Sequence, residues 1–473
     1  MAIFGALMAG LTCYSLSESI TIYEFKASIM KMKPKFIVCP NRYLDAIVNE
    51  KDNFTFIKTM MTMLETVNGP NHNNIINNNN NIINNSIIKS VEEICLKLSK
   101  TTSAVVKLPV HTEPDNHVTY FMSSGTTGQP KAIIRTNKIY LSVIECLIQP
   151  NMIPQTSGGQ SNDIYLSDSI FHSSGHETLI RAIVMSTPVA VLRSEDSMDD
   201  IYQCIHNYRI SQAFMTPAYL SYLVKNMDKY TSEYLGSLKC LYVAGDFLNY
   251  NIYKSVKQYY NIDNILMVYG MSEMGFICQS PPDIDNNKYR STVGYVGKVC
   301  PNLRIKILND SGSPLPANSF GKLYVSGLAA TLGYLNDPEQ TNNLLTNDGY
   351  VITGDIGYYD DNHNVYIVGR SKDIIKVYGN NVMPSELENV LSEHRYVMKA
   401  AVIGIDDDLL GSVPMAFVTV DDSVSVSEEE LMDYVDKRVS DHKRLRGGIK
   451  IVDSMPVNHM NKVIKSQLRK LIL

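Results

Sequence analysis

FMSSGTTGQPK, residues 121–131, is the part of this sequence from which fold and chemistry are most readily inferred. Adjacent backbone N–H groups and hydroxyls can surround an oxyanion, and glycines let such a loop fold tightly because they carry no Cβ atom. A lysine ammonium adds a compact positive charge that suits a phosphate. The apolar run 118–122 predicts a buried strand before the loop, so we predict a polyphosphate-binding loop at a sheet edge. The candidate ligands are Ser123, Ser124, Gly125, Thr126, Thr127, Gly128 and Lys131.

Two other interpretations of this loop were weighed. The P-loop of nucleoside triphosphatases requires G-x-x-x-x-G-K-[ST], and it is excluded because Gly128 is followed by Gln-Pro-Lys-Ala. A plain Ser/Gly-rich surface loop is the second alternative. The string resembles the [ST]-[ST]-G-T-T-G-x-P-K loop of the adenylate-forming enzymes, which include acyl-CoA synthetases, luciferases and peptide-synthetase adenylation domains. That resemblance implies ATP as the bound polyphosphate.

Length and composition indicate a globular protein of two or three domains. The chain has 473 residues, of which 44% are hydrophobic and 19% are charged. A net charge of −5 and a pI near 6.1 argue against nucleic acid as a partner. The eight cysteines include no C-x-x-C pair, which predicts reduced thiols and neither a disulfide framework nor a zinc site.

The ends of the chain predict a cytoplasmic protein. The apolar start, residues 1–11, is too short to span a bilayer and lacks the basic flank of a signal peptide. No transmembrane segment is therefore expected. The C-terminal Leu-Ile-Leu is not the peroxisomal S-K-L, although a peroxisomal location stays open. Because adenylate-forming enzymes carry further sequence before the corresponding segment, we expect this chain to start partway into the large domain.

The order of helix and strand signals predicts an α/β fold. Residues 71–85 are rich in asparagine and predict a disordered surface insertion. Up to about residue 268, short apolar strands alternate with helices, as in a mostly parallel sheet covered on both faces. From about residue 290, glycine-punctuated strands indicate antiparallel structure and a small β-barrel. We expect a large domain, residues 1–370, of mostly parallel sheets with helices plus this barrel. A smaller, mobile α+β domain, residues 371–473, is expected to follow.

Tyr269-Gly270-Met271-Ser272-Glu273 follows an apolar strand predicted at 265–268. An acidic residue on a turn at the carboxyl end of a strand is well placed for a ligand, although a solvated turn residue is the alternative. The string resembles the Y-G-x-[ST]-E motif of the adenylate-forming family. The resemblance implies that Tyr269 packs on adenine next to Gly270, that Ser272 contacts the phosphates and that Glu273 binds Mg²⁺.

Thr353-Gly354-Asp355 ends another predicted strand, and Arg370 lies beyond a predicted hairpin turn at 361–364. An ionised Asp offers only acceptors, so it can accept both hydrogen bonds of a ribose diol. Arg370 would supplement this ribose or phosphate contact. The order and separation of the two groups match the family, in which they are the ribose contacts.

The segment after Arg370 resembles the hinge about which the family rotates its small domain, with Lys372 at the pivot. The resemblance implies that Lys376 and Gly379 approach the active site in the second half-reaction. Near the C-terminus, PVNHMNKVIK resembles the closing P-x-x-x-x-G-K loop, which makes Lys462 the catalytic lysine. Asn461 replaces the usual glycine, and Asn is the residue best able to keep a positive φ there.

His172 is the last candidate, because the family carries a similar Phe-His segment that lines the acyl pocket. A structural histidine is the alternative. The resemblance is closest to 4-coumarate–CoA ligase and related acyl-CoA synthetases. It implies an ATP-dependent carboxylic acid–CoA ligase that forms an acyl-adenylate, releases pyrophosphate and then makes a thioester. Its ligands would be ATP, Mg²⁺, CoA and a small carboxylic acid. A catalytically impaired nucleotide-binding relative, and an adenylating enzyme with another acceptor, remain open.

Overall fold

The computed structural model describes residues 12–16, 20–40, 43, 53, 57, 59–63, 82–83, 86–90, 113–123, 131–148, 163–167, 169–192, 196–282, 294–420, 425–457 and 463–472. The chain divides into two compact units, residues 1–113 and residues 114–473.

In the first unit, helix α1 (Ile22–Met32) begins at a capping box. The Thr21 hydroxyl accepts the Glu24 N–H, and the Glu24 carboxylate accepts the Thr21 N–H. The strands are β1 (Cys13–Tyr14), β2 (Phe36–Pro40), β3 (Thr59–Met63), β4 (Ile82–Ile83) and β5 (Ser86–Ser90). Strands β2, β3 and β5 are parallel, and β4 pairs antiparallel with β5. Strand β4 lies inside the asparagine-rich tract, so this part of the predicted loop is hydrogen-bonded backbone. The rest of the tract lies outside the described residues.

The second unit begins with an antiparallel hairpin, β6 (His117–Ser123) and β7 (Lys131–Thr136). The strand predicted at 118–122 is confirmed. In the hairpin register Ser123 pairs with Lys131, so the two ends of the candidate phosphate loop are neighbours. Its residues 124–130, which include Ser124, Gly125, Thr126, Thr127 and Gly128, lie outside the described residues.

A parallel sheet with helices on both faces follows, as predicted. Its strands are β8 (Tyr165–Ser167), β9 (Val189–Val191), β10 (Gln212–Met215), β11 (Cys240–Val243) and β12 (Asn264–Met271). The helices are α2 (Asn137–Leu147), α3 (Ser173–Val184), α4 (Met198–Tyr208), α5 (Pro217–Lys225) and α6 (Tyr250–Tyr259). The strand order is β9-β8-β10-β11-β12, with all pairings parallel.

Alternation along the strands explains how both faces are covered. In β11, Leu241 and Val243 pack into a core with buried residues of α4, α5 and α6. Cys240 and Tyr242 point to the opposite face, where Ala182 of α3 covers them. Because successive side chains of a strand point to opposite faces, a strand that is buried throughout requires helices on both sides.

Antiparallel strands continue this sheet. They are β13 (Gly275–Gln279), β14 (Tyr295–Val299), β15 (Leu303–Leu308), β16 (Gly321–Gly327), β17 (Val351–Tyr359) and β18 (Val365–Arg370), with helix α7 (Pro338–Leu344) between β16 and β17. Among the described strands the path runs β12-β13-β14-β18-β17-β16-β15. The part predicted as a small barrel is thus joined to the parallel part in one hydrogen-bonded sheet that ends at β15.

The C-terminal residues form their own sheet and core. The strands are β19 (Ile375–Val377), β20 (Asn380–Val382), β21 (Val397–Asp407), β22 (Gly411–Val420) and β23 (Ile449–Ile451). The helices are α8 (Pro384–Ser392), α9 (Glu428–Asp436) and the short α10 (Lys465–Leu468). Helix α8 begins with Pro384 at its first turn, as expected. In the described parts of the chain, no helix combines the length and apolar character needed to cross a bilayer.

Candidate active site

Three of the predicted nucleotide contacts meet near the end of β12. The Tyr269 hydroxyl donates a hydrogen bond to Asp355 Oδ2 at 2.5 Å, and Arg370 Nε lies 2.9 Å from Asp355 Oδ1. The Asp355 side chain is 8% exposed, whereas that of Arg370 is 49% exposed. Burial, and then the Asp355 carboxylate, raise the pKa of Tyr269 well above its ordinary value, so its hydroxyl stays a donor. The cluster therefore places a buried carboxylate beside an accessible cation.

Backbone structure holds this cluster in place. Asp355 and Arg370 pair across the antiparallel strands β17 and β18. The Thr353 hydroxyl accepts the Asp355 N–H and donates to Leu323 O, and Arg370 Nη1 donates to Thr353 O. Gly354, between Thr353 and Asp355, has a φ of +75°, which only glycine adopts easily. The T-G-D string is thus a local fold that fixes the carboxylate.

A second cluster links Lys131, the last residue of the candidate phosphate loop, to Glu273. The Tyr334 hydroxyl donates to Glu273 Oε1 at 2.8 Å, and Lys131 Nζ lies 5.1 Å from the centre of the Tyr334 ring. Lys131 also donates to Gln340 Oε1 at 2.6 Å. Burial, followed by Glu273, raises the pKa of Tyr334 strongly, so this hydroxyl also stays a donor. Tyr334 thus contacts both the predicted metal ligand, Glu273, and the predicted phosphate-binding cation, Lys131.

The surroundings of Glu273 fit a magnesium ion that is held mainly by a substrate. Glu273 is buried, and no group of three or more His, Cys, Asp and Glu side chains that could hold a metal occurs among the described residues. Mg²⁺ is commonly bound by one or two carboxylates together with substrate phosphates and water. One buried carboxylate that shares Tyr334 as a neighbour with Lys131 is consistent with this mode of binding.

A buried ion pair is hydrogen-bonded to the backbone of the segment from Tyr269 to Glu273. Arg135 Nη2 donates to Glu177 Oε1 at 3.0 Å and to Ser272 O at 2.8 Å. The side chains of Arg135 and Glu177 are 1% and 4% exposed. Burial raises the pKa of Glu177, while the Arg135 charge acts in the opposite direction. The Ser173 hydroxyl, at the start of α3, reaches Ser272 Oγ at 3.5 Å. Helix α3, strand β7 and the Ser272 turn are thus joined through polar contacts.

Gly275 makes room for this pair. It has a φ of +76°, and a Cβ atom built there would lie 2.9 Å from Glu177 Oε1. A larger residue would therefore push on the carboxylate that Arg135 binds, and would also strain the backbone.

His172 and His176 have different surroundings. His172 is half-buried and caps α3 with its backbone, since its carbonyl accepts the His176 N–H. His176 is 3% exposed, and its Nδ1 lies 2.9 Å from the Tyr140 hydroxyl. Its buried Nε2 has no hydrogen-bond partner within the described part of the chain. Burial, and then Arg135, lower the pKa of His176 to about 4. His176 is therefore a neutral residue of the interior, and the role predicted for His172 stays a prediction.

Comparison with known proteins identifies the family. The sequence model described as "AMP-binding enzyme" matches residues 1–335, and that of the "AMP-binding enzyme C-terminal domain" matches residues 386–462. The chain belongs to the AMP-binding enzymes.

Individual relatives agree with this assignment. Luciferin 4-monooxygenase of Luciola mingrelica is 27% identical over 474 residues, which cover 99% of this chain and 82% of that protein. 4-Coumarate–CoA ligase 3 of Oryza sativa subsp. japonica is 29% identical over 368 residues, or 75% of this chain and 64% of that protein. The crystal structure of ATP-bound MatB from Rhodopseudomonas palustris superposes with a TM-score of 0.81 at 21% identity, covering 99% of this chain and 85% of that one. The fold is that of this family.

The predicted hinge of this AMP-binding enzyme lies on the surface. Lys372 is exposed in a short 3-10 turn (Ser371–Asp373) directly after β18. Lys376 on β19 and Gly379, which has a φ of +77°, are exposed as well. Lys462 lies outside the described residues, and the flanking Val457 and Val463 form an antiparallel bridge. The structure therefore brings Tyr269, Asp355 and Arg370 into one cluster and links Lys131 to Glu273 through Tyr334. The described candidates of the C-terminal part, Lys372, Lys376 and Gly379, are exposed.

Several residues of the site were missed by sequence reasoning. Arg135 offered a signal, because a charged residue in the apolar strand KAIIRT has to find a partner once buried. Glu177 offered a weaker one, since it sits on a helix that is otherwise apolar or small on one side. Tyr334 and Gln340 gave no signal at all, because their contacts with Glu273 and Lys131 depend on distant parts of the chain.

Proposed function

We propose that this AMP-binding enzyme is an ATP-dependent carboxylic acid–CoA ligase. The observation that supports this most is the hydrogen-bonded cluster of Tyr269, Asp355 and Arg370, three residues predicted separately as nucleotide contacts. Relatives include 4-coumarate–CoA ligases, and the MatB structure was determined with ATP bound. The reaction has two steps, adenylation of an acid and transfer of the acyl group to a thiol.

In the first step, ATP binds along both clusters. Asp355 accepts the ribose hydroxyls, Arg370 supplements that contact, and Tyr269 packs on adenine beside Gly270. Each carboxylate oxygen has two lone pairs, so Asp355 can accept further hydrogen bonds while it is held by Tyr269 and Arg370. Ser272 and the 123–128 loop, with Lys131, bind the phosphates. Mg²⁺, held by Glu273, supplies additional positive charge to the phosphate oxygens when it is bound.

The acid's carboxylate oxygen attacks the α-phosphorus of ATP in line, and the bond to the β-phosphate oxygen breaks, releasing pyrophosphate. Lys131 and Lys462 stabilise the negative charge that develops, as preorganised donors do. His172 lines the acyl pocket near the start of α3.

In the second step, the small domain, residues 371–473, rotates about Lys372 and carries Lys462 away. Lys376 and Gly379 then approach the site. The CoA thiolate attacks the carbonyl carbon of the acyl-adenylate, and AMP leaves with the electron pair of the broken C–O bond. The products are an acyl-CoA thioester and AMP.

A different acceptor is the main rival, because luciferin 4-monooxygenases are also relatives. Those proteins are named for an oxygen-dependent reaction, and such a reaction shares the adenylation step. A nucleotide-binding relative without catalysis is the other rival.

Three measurements on the purified protein separate these functions. Acid-dependent exchange of labelled pyrophosphate into ATP reports adenylation. Release of AMP that requires CoA reports thioester formation, and oxygen uptake reports the rival acceptor. We expect exchange with at least one member of a panel of carboxylic acids, and AMP release that depends on CoA and is the same with and without oxygen. Absence of exchange with all acids, together with ATP binding, would establish the non-catalytic alternative.

A further inference from the structure

Arg181 is a buried cation whose hydrogen-bonding capacity is only partly used. It lies on α3 and is 5% exposed. Its side chain has a hydrogen bond with Tyr242, but its buried Nε and Nη2 atoms find no hydrogen-bond partner among the residues that the structure describes. No ion pair to Arg181 is found among the described residues. A guanidinium is always charged in proteins, and a buried charge without a partner is costly. The surroundings of Arg181 should therefore show what offsets this cost.

Two tyrosine rings offset part of the cost of burying the Arg181 charge. The guanidinium carbon lies 5.3 Å from the ring centre of Tyr165 and 5.1 Å from that of Tyr242. Cations are attracted to such ring faces, but the contact does not satisfy N–H donors. These residues line a cavity of about 20 Å³, large enough for one or two water molecules. The rest of its lining is mainly Thr178, Phe214, Phe276 and Gln279.

Two buried carboxylates of this region have other partners: Glu177, on the same helix, pairs with Arg135, and Asp163 precedes β8. Asp163 accepts hydrogen bonds from Ser211 Oγ at 3.0 Å and from Gln212 Nε2 at 2.7 Å. The Gln212 carbonyl oxygen in turn accepts the Tyr242 hydroxyl at 3.3 Å. Asp163 is thus linked through Gln212 to Tyr242, one of the residues that line the cavity. It does not fill the donor positions of the guanidinium.

Helix α3 connects this cavity to the reaction centre. Its first residue, Ser173, contacts Ser272, whereas Arg181 lies eight residues further, about 12 Å along the helix axis. Long side chains on a helix point back towards its N-terminus, which brings the guanidinium closer to the centre than its Cα. A molecule that reacts near Ser272 and extends along α3 would therefore present its far end to Arg181.

We propose that Arg181 binds a second carboxylate, so that the acid used by this enzyme is a dicarboxylic acid with one carboxylate at each end. The unused N–H groups match the oxygens of a carboxylate, and the rings of Tyr165 and Tyr242 enclose the pair. The linker is of the order of four to eight carbons, from the helical rise between Ser173 and Arg181. This inference rests on the proposed adenylation reaction.

The test compares α,ω-dicarboxylic acids from adipate to sebacate, whose linkers have four to eight carbons, with their monomethyl esters, which keep the linker and lose one charge. In the pyrophosphate-release assay we expect kcat/KM for the best diacid to exceed that for its ester by roughly 10- to 100-fold, the effect of hydrogen bonds to a charged group. Arg181→Met should bring the ratio close to one, and Arg181→Lys should keep part of it. Arg438→Met, which removes an exposed arginine stacked on Tyr434 at 3.5 Å, should leave the ratio unchanged.

Binding is measured separately, as the rise in melting temperature caused by each diacid without ATP. If no acid releases pyrophosphate, the proposed reaction fails, while a diacid-specific rise that Arg181→Met abolishes still supports the anion site. Two results would overturn the inference. One is a wild-type protein with equal kcat/KM and an equal rise in melting temperature for diacid and ester. The other is a ratio of kcat/KM for diacid over ester that does not change in Arg181→Met. In either case Arg181 only packs against the tyrosines. If Arg181→Met does not fold, the inference is tested by the ratio of kcat/KM for diacid over ester in the wild type and in Arg181→Lys.

Discussion

Arg370 and Asp355 are paired across neighbouring strands, and the guanidinium Nε lies 2.9 Å from a carboxylate oxygen that is almost entirely buried. The pairing follows from strand register and not from a flexible loop, so the carboxylate is held in one orientation before any ligand binds. Tyr269 fixes the second oxygen from β12. Preorganisation of this kind lowers the entropy lost on binding.

The first prediction concerns Asp355→Asn, which keeps the size of the side chain and removes its charge. Hydrogen bonds to charged groups contribute roughly 1.5–3 kcal/mol each, so the dissociation constant for ATP should rise about 10- to 100-fold. The KM for the acid should change much less. Isothermal titration with ATP and steady-state kinetics in the acid measure the two effects.

Asp441→Asn is the matched control, because Asp441 pairs with Arg446 at 2.6 Å on the surface. It should alter neither constant, since exposed ion pairs contribute little. An equal loss for ATP and acid in Asp355→Asn would remove Asp355 from the nucleotide site.

The second prediction concerns the buried pair of Arg135 and Glu177. Arg135→Met leaves the Glu177 carboxylate and the Ser272 carbonyl without their donor, so the free energy of unfolding should fall by roughly 3–5 kcal/mol. The double variant Arg135→Met/Glu177→Met removes both charges and should regain a large part of this loss. Urea denaturation of the wild type, both single variants and the double variant measures the coupling. Additive losses would mean that the two charges do not interact.

Strand positions were predictable wherever local pattern determined them. The alternation of Arg304 and Lys306 with apolar residues predicts a strand over 303–308, and β15 has these bounds. Short apolar runs predict strands over 212–216 and 240–244, and β10 and β11 agree with these bounds to within one residue. The role of Asp355 in the T-G-D string was predictable for a similar reason, since the glycine turn and the carboxylate are neighbours in sequence.

Contacts between distant residues were not predictable in this way. Glu177 and Arg181 stand four apart on α3, a spacing that indicates an ion pair on a helix surface. Both are buried instead, and Glu177 pairs with Arg135 of β7. Their environment depends on how α3 is packed between β7 and the sheet, which no local pattern encodes. The contact between Tyr334 and Glu273 also depends on distant parts of the chain. Tyr334 lies in the segment after β16, and a backbone bridge between Tyr334 and Ile133 joins this segment to β7.

The third prediction is a pH dependence caused by His176. Its pKa is about 4 in the folded protein, below the ordinary value of 6.5. The unfolded chain therefore takes up the proton first as the pH falls, and the stability that the neutral imidazole contributes is lost between about pH 6.5 and pH 4. Between about pH 7 and pH 4.5 the loss amounts to roughly 2–3 kcal/mol. In His176→Gln the decrease of the unfolding free energy over this interval should be smaller by that amount.

His206→Gln provides the comparison, because His206 is exposed on α4 with its ring stacked on Tyr234. Its pH profile should follow that of the wild type. Identical slopes for wild type and His176→Gln would show that His176 is not held neutral by its surroundings.

The last prediction follows from the proposed mechanism, in which the small domain adopts a different state in each half-reaction. During adenylation, Lys462 has to bring its positive charge to the carboxylate and the α-phosphate, where charge develops. Lys462→Ala should therefore slow acid-dependent pyrophosphate release by roughly 10²–10³, the scale for loss of one preorganised donor. Acyl transfer from a supplied acyl-adenylate to CoA should keep nearly its normal rate, because Lys462 has by then been carried away.

Lys376→Ala should show the opposite bias, since Lys376 is the exposed residue of β19 and, in the proposed mechanism, approaches the site only after rotation. Lys437→Ala is the control, because this lysine is exposed and pairs only with Asp433 among the described residues; both half-reactions should remain normal. Single-turnover kinetics with ATP and acid, and separately with acyl-adenylate and CoA, resolve the two steps. Equal damage to both steps by Lys462→Ala would contradict the two-state mechanism, because a residue that is remote during transfer cannot slow transfer except through the fold of the small domain.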